Sequence, residues 1–267
     1  MTAPRPLPLL KARRVLRRDR RGSSSPVLVE TDAGPYFTKL VGAAQGPGAL
    51  VAEVIVAGLA DLLGLAVPAR VLIDLAPETP VDDANDELAD LLRASTGLNL
   101  GFEYLPRARP FHPADLDWLS PDWAAQVRWL DWLVLNPDRT PANPNILIDG
   151  RRPWLIDHGA ALVFQHDWSA VTEDAPLAPG PRGQHLLDAI ATRLPAWDEL
   201  LTGIVTRERL AAVMDAVPEG FLGPLLPAGA GPAELARRRA AYAAFLWKRL
   251  RGPRPMRSDA PSPERGA

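Results

Sequence analysis

Residues 136–159 read NPDRTPANPNILIDGRRPWLIDHG. Two apolar arms, ILI at 146–148 and WLI at 154–156, flank Asp149-Gly150, a dipeptide that supplies the backbone of a tight hairpin turn. Before them, PDWAAQVRWLDWLVL (121–135) has Pro121 near a first turn and Ala124, Val127, Leu130 and Val134 on one face, which predicts a helix that ends at Asn136-Pro137. Asp138 and Asn143 stand five residues apart between that helix and the first arm, and Asp157 follows the second arm in Asp-His-Gly. Asn, Asp and Pro are turn residues, so each of these pieces taken singly also reads as an ordinary turn.

On the N-terminal side, PVLVE and PYFTKL separated by TDAG predict a first hairpin. AAQGPGAL then introduces a helix over 49–63, with Leu50, Val54, Ala57 and Leu62 at helical spacing and Gly64 as its stop. VPARVLIDL and GLNLGFEYLP read as strands on either side of an acidic stretch, Pro77 to Asp90, expected as a surface loop and short helix. Beyond the second hairpin, residues 184–216 and 232–250 carry helical patterns, and the tail from Arg251 has the composition of a disordered segment. Strands, one helix and more strands, followed by a helical half with one hairpin, make an α+β pattern with two lobes joined near Tyr104 to Pro110. The expected division is 1–104, 105–250 and a tail of 251–267.

The 267 residues carry 30 basic against 32 acidic side chains and no cysteine. That balance lacks the electrostatic footprint of a nucleic-acid binder, and the missing thiols exclude disulfides, thiolate nucleophiles and zinc ribbons. There is no signal-peptide pattern and no apolar run of about 18 residues, so the expectation is a soluble, cytoplasmic protein without membrane contact. An arginine cluster, Arg13, Arg14, Arg17, Arg18, Arg20 and Arg21, reads as a solvated arm or a first strand with charged edges. The lysines are only Lys11, Lys39 and Lys248, so the position of each has to decide whether an ammonium is required there.

Lys39 ends the strand PYFTKL, 14 residues before Glu53 in the following helix. A strand lysine paired with a glutamate on the next helix is how kinases hold nucleotide phosphates; the competing reading is a surface lysine and a solvated glutamate. The spacing Asp138-x4-Asn143 is that of the kinase loop H-R-D-x-x-x-x-N, which sets a proton acceptor beside an oxygen ligand for Mg²⁺. Asp157-His158-Gly159 has the layout of the metal-binding D-F-G, and the three constellations occur in the expected order.

In SSSPVLVETDAGPYFTKL, QGPGALVAEVIVAGLADLLGLAVP, GFEYLP, LNPDRTPANPNILIDG and WLIDHGAAL, which span roughly residues 22–165, the chain resembles the HipA-like kinase family, a branch of the atypical protein-kinase-like fold related to phosphoinositide kinases. The resemblance implies a small β-rich N-lobe with one key helix, a mainly helical C-lobe, ATP between them, Mg²⁺, and phosphoryl transfer to a hydroxyl, in the best-known relatives a protein serine. Carried over, Lys39 contacts the α/β-phosphates, Glu53 orients it, Asp138 accepts or orients the acceptor's proton, and Asn143 and Asp157 bind Mg²⁺. Gly22, Ser23, Ser24 and Ser25 would approach the phosphates, and Glu103, Tyr104 and Leu105 would receive the adenine. The chain departs from the pattern in having Asn136-Pro137 where His-Arg would precede the Asp, no G-x-G-x-x-G, and His158 in the place of Phe, either as packing or as a polar group that changes metal binding. Asn145, directly before the arm ILI, is the alternative metal ligand to Asn143.

His112, His166 and His185 have no metal-ligand spacing and read as surface or core residues, and Trp118, Trp123, Trp129 and Trp132 read as packing. The absence of G-x-S-x-G disfavours an α/β-hydrolase. The rival functions are a small-molecule kinase, for which the acidic insert Asp82 to Asp90 would attract a cationic acceptor, and a nucleotide-binding pseudokinase acting as an interaction module. A nucleic-acid role for the Arg-rich start would show as salt-steep binding. The phosphoryl acceptor, protein or small molecule, and the oligomeric state have no signature in the sequence.

Overall fold

The computed structural model describes residues 6–18, 26–82, 86–180 and 183–254. In the N-terminal part, β1 (Leu9–Arg18), β2 (Val27–Thr31), β3 (Gly34–Lys39), β4 (Arg70–Leu75) and β5 (Gly97–Glu103) close into a barrel in the order β1-β2-β3-β5-β4. The β2–β3 hairpin turns at Gly34, whose φ of 111° is a left-handed conformation that side chains resist. Closure depends on β1. It pairs antiparallel with β2 and, at its start, parallel with β4, and two register shifts bend it between these neighbours. The basic stretch is thus a barrel strand rather than an arm, and Val15 within it is wholly buried. Arg20, Arg21 and the proposed phosphate loop Gly22–Ser25 lie outside the described residues.

The barrel is small enough that its interior is filled by side chains. A Cβ on Gly101 of β5 would stand 2.6 Å from Ile73 Cδ1 and 2.9 Å from Val71 Cγ2, so glycine is what the filled interior admits. Helix α2 (Asp86–Ala94) caps this core with Leu88, and it runs four residues past the acidic stretch, where Leu91 and Leu92 pack against the same core.

Helix α1 (Gly46–Leu62) joins β3 to β4 and begins three residues earlier than the apolar spacing predicts, because Gly46 at φ 64° and Pro47 form its first turn. Gly64, at φ 74°, stops it as expected. Asp61 is its one exposed residue; the helix is apolar nearly all round, the pattern of a helix with packing partners on every side. It packs on α5 (Arg207–Asp215) and α6 (Glu219–Leu222), and its side chains share one continuous core with those of α3 (Pro121–Leu133), α4 (Leu194–Ile204) and α7 (Pro232–Arg251). Trp129 and Trp132 of α3 lie in that core.

The second hairpin forms as β7 (Ile146–Asp149) and β8 (Arg152–Leu155), with Gly150 at φ 62° in its turn. A short β6 (Arg109–Pro110) extends it to a three-stranded sheet; two residues ending in proline leave no strand signal in the sequence. Helix α3 stops at Leu133 rather than at Asn136, since Leu135 turns into the left-handed region at φ 54°. Residues 184–193, expected to be helical, form turns instead, and Leu186 N–H there donates to Arg139 O at 3.0 Å. Buried Arg249 of α7 donates to the carbonyls of Trp132, Pro176 and Ala178 and so fastens residues 176–178 to the helical part. Of the expected disordered tail 251–267, Arg251 is instead the last residue of α7 and Arg254 Nε donates to Asp198 Oδ2 at 2.9 Å, while the residues beyond 254 lie outside the described residues.

The loop between Lys39 and α1 is held by two buried polar side chains. Asn99 Oδ1 accepts Val41 N–H at 2.9 Å and Ser95 Oγ accepts Gly42 N–H at 3.1 Å. A Cβ on Gly42 would lie 2.8 Å from the backbone C and O of Ala94, atoms that cannot move without displacing β5. Gly42→Ala is therefore expected to destabilise the fold by about 1–3 kcal/mol, the usual cost of overpacking, read as a lower urea midpoint at unchanged m-value.

Candidate active site

Lys39 is the last residue of β3, and the strand's end places its ammonium between two carboxylates from distant parts of the chain. Its Nζ donates to Glu53 Oε1 of α1 and to Asp157 Oδ1, the latter at 2.5 Å. Glu53 is wholly buried and the Lys39 side chain is 11% exposed, so neither is the solvated surface group of the competing reading. Glu53 accepts two further hydrogen bonds, from His158 N–H to Oε1 at 2.8 Å and from His158 Nδ1 to Oε2 at 3.3 Å. Burial alone would raise the Glu53 pKa, but the Lys39 charge and the His158 hydrogen bond outweigh it and hold the group at about 2. Burial likewise opposes the charge on Lys39, and the two carboxylates more than offset it, raising its pKa above the ordinary value.

The hairpin sets the second cluster beside the first. Ile146 pairs with Leu155 and Ile156 N–H donates to Asn145 O at 3.1 Å, so the start of β7 and the residue before Asp157 are neighbours at one end of the ribbon. Asn143 Nδ2 and Asn145 Nδ2 both donate to Asp138 Oδ2, at 2.8 and 3.1 Å. Asn143 is exposed and Asn145 buried. Among the described residues, the non-glycine positions with positive φ are Leu135, Asn145, Asp157 and Leu162, all within this one region. Each costs roughly 1–3 kcal/mol, and such concentrated strain is characteristic of a built site. Leu162 N–H donates to Val134 O at 2.7 Å, which returns the chain after Asp157 to the end of α3.

Beneath the Asp138 loop lies a buried network that no sequence motif marks. Asp131 of α3 accepts from Asn136 Nδ2 at 2.7 Å, Arg139 Nε at 2.6 Å and His185 Nε2 at 2.9 Å. Arg139, 1% exposed, also donates to Asn145 O at 2.7 Å, and Asn136 Oδ1 accepts Asp138 N–H at 3.0 Å. Asn136 and Arg139 are thereby tied directly, and Asp138 and Asn145 through one of them, to a single carboxylate on α3. Burial pushes the Asp131 carboxyl up, yet Arg139 and His185 overcome it and keep it well below the usual carboxylate range. His185 carries no sequence signal; the adjacency Asp138-Arg139 does, since an arginine beside a loop carboxylate has to find an acid partner if buried.

Glu103, Tyr104 and Leu105 lie at the end of β5, apart from these contacts. Glu103 is exposed and opposes Tyr36 on β3, its N–H donates to Ala69 O, and the Tyr104 ring meets Phe37 edge-on at 5.4 Å. His112 accepts Ala114 N–H as the cap of a 3-10 turn.

Among the described residues no group of three or more His, Cys, Asp or Glu is placed to hold a metal by itself. The donors present, one partly exposed aspartate and two asparagine amides whose N–H groups are spent on Asp138, are oxygen ligands few in number. They suit a hard cation that takes its remaining ligands from phosphates and water. No helix among the described residues is long and apolar enough to cross a membrane.

A family model described as HipA-like kinase matches residues 12–217. Among solved structures, the Helicobacter pylori proinflammatory kinase CtkA is similar with a TM-score of 0.55 at 9% identity, covering 91% of this chain and 94% of that one, a likeness of fold. Comparison with curated proteins finds no match.

Removing Asp131 leaves the Arg139 guanidinium buried without an acid partner. Asp131→Ala is expected to cost about 3–5 kcal/mol in urea unfolding. Glu53 contributes stability that is complete above its ordinary pKa of 4.5 and lost as pH falls through its folded value of about 2. Between about pH 5 and pH 2.5 the melting temperature of Glu53→Gln should therefore fall less steeply than that of the unaltered protein.

Proposed function

The chain belongs to the HipA-like kinase family, and from that membership we propose that it is a Mg²⁺/ATP-dependent phosphotransferase acting on a hydroxyl acceptor. In this reading the barrel with α1 forms the N-lobe, the helical part from residue 105 forms the C-lobe, and the nucleotide lies between them. The observation that carries the proposal is the convergence on Lys39 Nζ of Glu53 and Asp157, 14 and 118 residues away in sequence.

Lys39 offers a compact ammonium to the α/β-phosphates, and Glu53 fixes its direction from a helix that cannot tilt freely. Asp157 and Asn143 would hold Mg²⁺, which when bound neutralises charge on the phosphates. Asn143 suits that role better than Asn145, because its amide is exposed while Asn145 is buried in a left-handed turn beneath the loop. Asp138, half-buried and oriented by both amides, accepts or orients the proton of the acceptor hydroxyl. Gly22–Ser25 would supply backbone N–H groups to the phosphates, and Glu103–Leu105 would border the adenine, with Tyr104 and Phe37 as apolar surface. Catalysis is then mainly alignment and charge stabilisation in a fixed polar frame.

Incubation with γ-labelled ATP, Mg²⁺ and a panel of protein and small-molecule hydroxyl acceptors tests the proposal. Transfer to protein or acceptor is expected, with Asp138→Asn and Asp157→Asn each lowering it by roughly 10²–10⁴-fold at unchanged folding. Nucleotide-induced thermal stabilisation without any turnover would instead favour a nucleotide-binding interaction module.

A further inference from the structure

At His158 the chain departs from the D-F-G pattern, and the structure gives this residue contacts that a phenylalanine could make only in part. Its backbone N–H reaches Glu53 Oε1, as that of any residue there could, but its ring Nδ1 also reaches Glu53 Oε2. Both partners are buried, Glu53 completely and His158 to 1% exposure. A carboxylate has only acceptor positions, so the ring proton sits on Nδ1 and points at Glu53. The other ring nitrogen, Nε2, is buried and without a hydrogen-bond partner. Filling the same space by packing alone would need no nitrogen and would avoid desolvating one.

The two contacts grip the carboxylate at both oxygens. Oε1 receives Lys39 and the His158 backbone, and Oε2 receives the ring, so the Glu53 plane cannot rotate about its last torsion without losing a bond. The grip joins two rigid bodies. Glu53 lies on the core helix α1, and Gly159, next to His158, is pressed against that helix so closely that a Cβ would meet Ala49 Cβ at 3.2 Å and Gln45 Oε1 at 3.3 Å.

We propose that His158 is a positioning residue, a hydrogen-bonding latch that fixes Glu53, and through it the Lys39 ammonium, in register with Asp157. The proposal rests on the kinase reading above. It separates from simple packing because the two ideas rank the same substitutions in opposite order. Asparagine places an amide N–H at the position of Nδ1 with less volume, while phenylalanine keeps the volume and loses the donor.

The experiment compares His158→Asn, His158→Phe and His158→Leu, the last repeating the donor-free case at smaller size should phenylalanine impair folding. Steady-state kinetics with ATP should show kcat lowered about tenfold to a hundredfold in the Phe and Leu variants, with the KM for ATP moved much less, and recovered to within about threefold of the unaltered enzyme by Asn. Crystal structures of the variants should show the Lys39–Glu53 contact kept with Asn and broken or rotated with Phe or Leu. A Phe variant with normal kcat and an intact contact, or an Asn variant as impaired as Leu, would overturn the latch. Absence of phosphoryl transfer by the unaltered protein would defeat the kinase reading instead, and the Lys39–Glu53 geometry in the variant structures would still decide the latch.

Discussion

A buried ammonium held between two carboxylates is the interaction on which the rest of this structure turns. Lys39, Glu53 and Asp157 come from a strand end, a core helix and the exit of a hairpin, and each would be unfavourable in its place without the others. Desolvation works against the charge on both Lys39 and Glu53, and their mutual attraction, with Asp157 beside Lys39 and the His158 hydrogen bond on Glu53, restores it. Such a cluster is poor value as a source of stability, since apolar side chains would pack there at less cost. What it provides is a fixed charge geometry, an ammonium held in one place by a wholly buried and a partly exposed carboxylate.

The scaffold around the cluster is arranged to keep it rigid. Helix α1 is enclosed on nearly all sides and shares its core with the C-terminal helices, so Glu53 is anchored to the larger body of the protein rather than only to the barrel. Gly58 packs within 3.1 Å of Val213 on α5, measured from an added Cβ, which leaves the helix no slack on that side. The Asp138 loop is fixed differently, by hydrogen bonds to Asp131 from below, with Asn143 on its exposed side. Left-handed backbone at Leu135, Asn145, Asp157 and Leu162 is sustained because these two supports over-determine the chain between them.

The elements with strong local signals were legible in advance. Asp149-Gly150 between ILI and WLI fixed a hairpin, Gly64 stopped α1, and the alternating apolar runs at Val27–Thr31 and Arg70–Leu75 became strands. The misplaced boundaries had causes outside the local window. β6 exists only because β7 offers it an edge, and residues 184–193 give up their helical pattern for bonds from Leu186 to the Asp138 loop and from His185 to Asp131 of α3. Barrel closure has no local signal either, since the parallel pairing of Leu9–Lys11 with β4 joins residues some sixty apart that share no pattern.

By itself the sequence determined which residue types are available for chemistry and in what order, because a lysine on a strand, a glutamate 14 residues on, Asp-x4-Asn and Asp-X-Gly are local facts of spacing. The tertiary structure decided which of them meet. It turned an apparently ordinary surface pair into a buried ion cluster, set the backbone and ring of His158 against Glu53, and recruited Asp131 and His185, neither of which has a motif. The reason is physical: an ion pair's strength depends on burial and on what surrounds it, and both are properties of contacts between distant segments that no local spacing encodes.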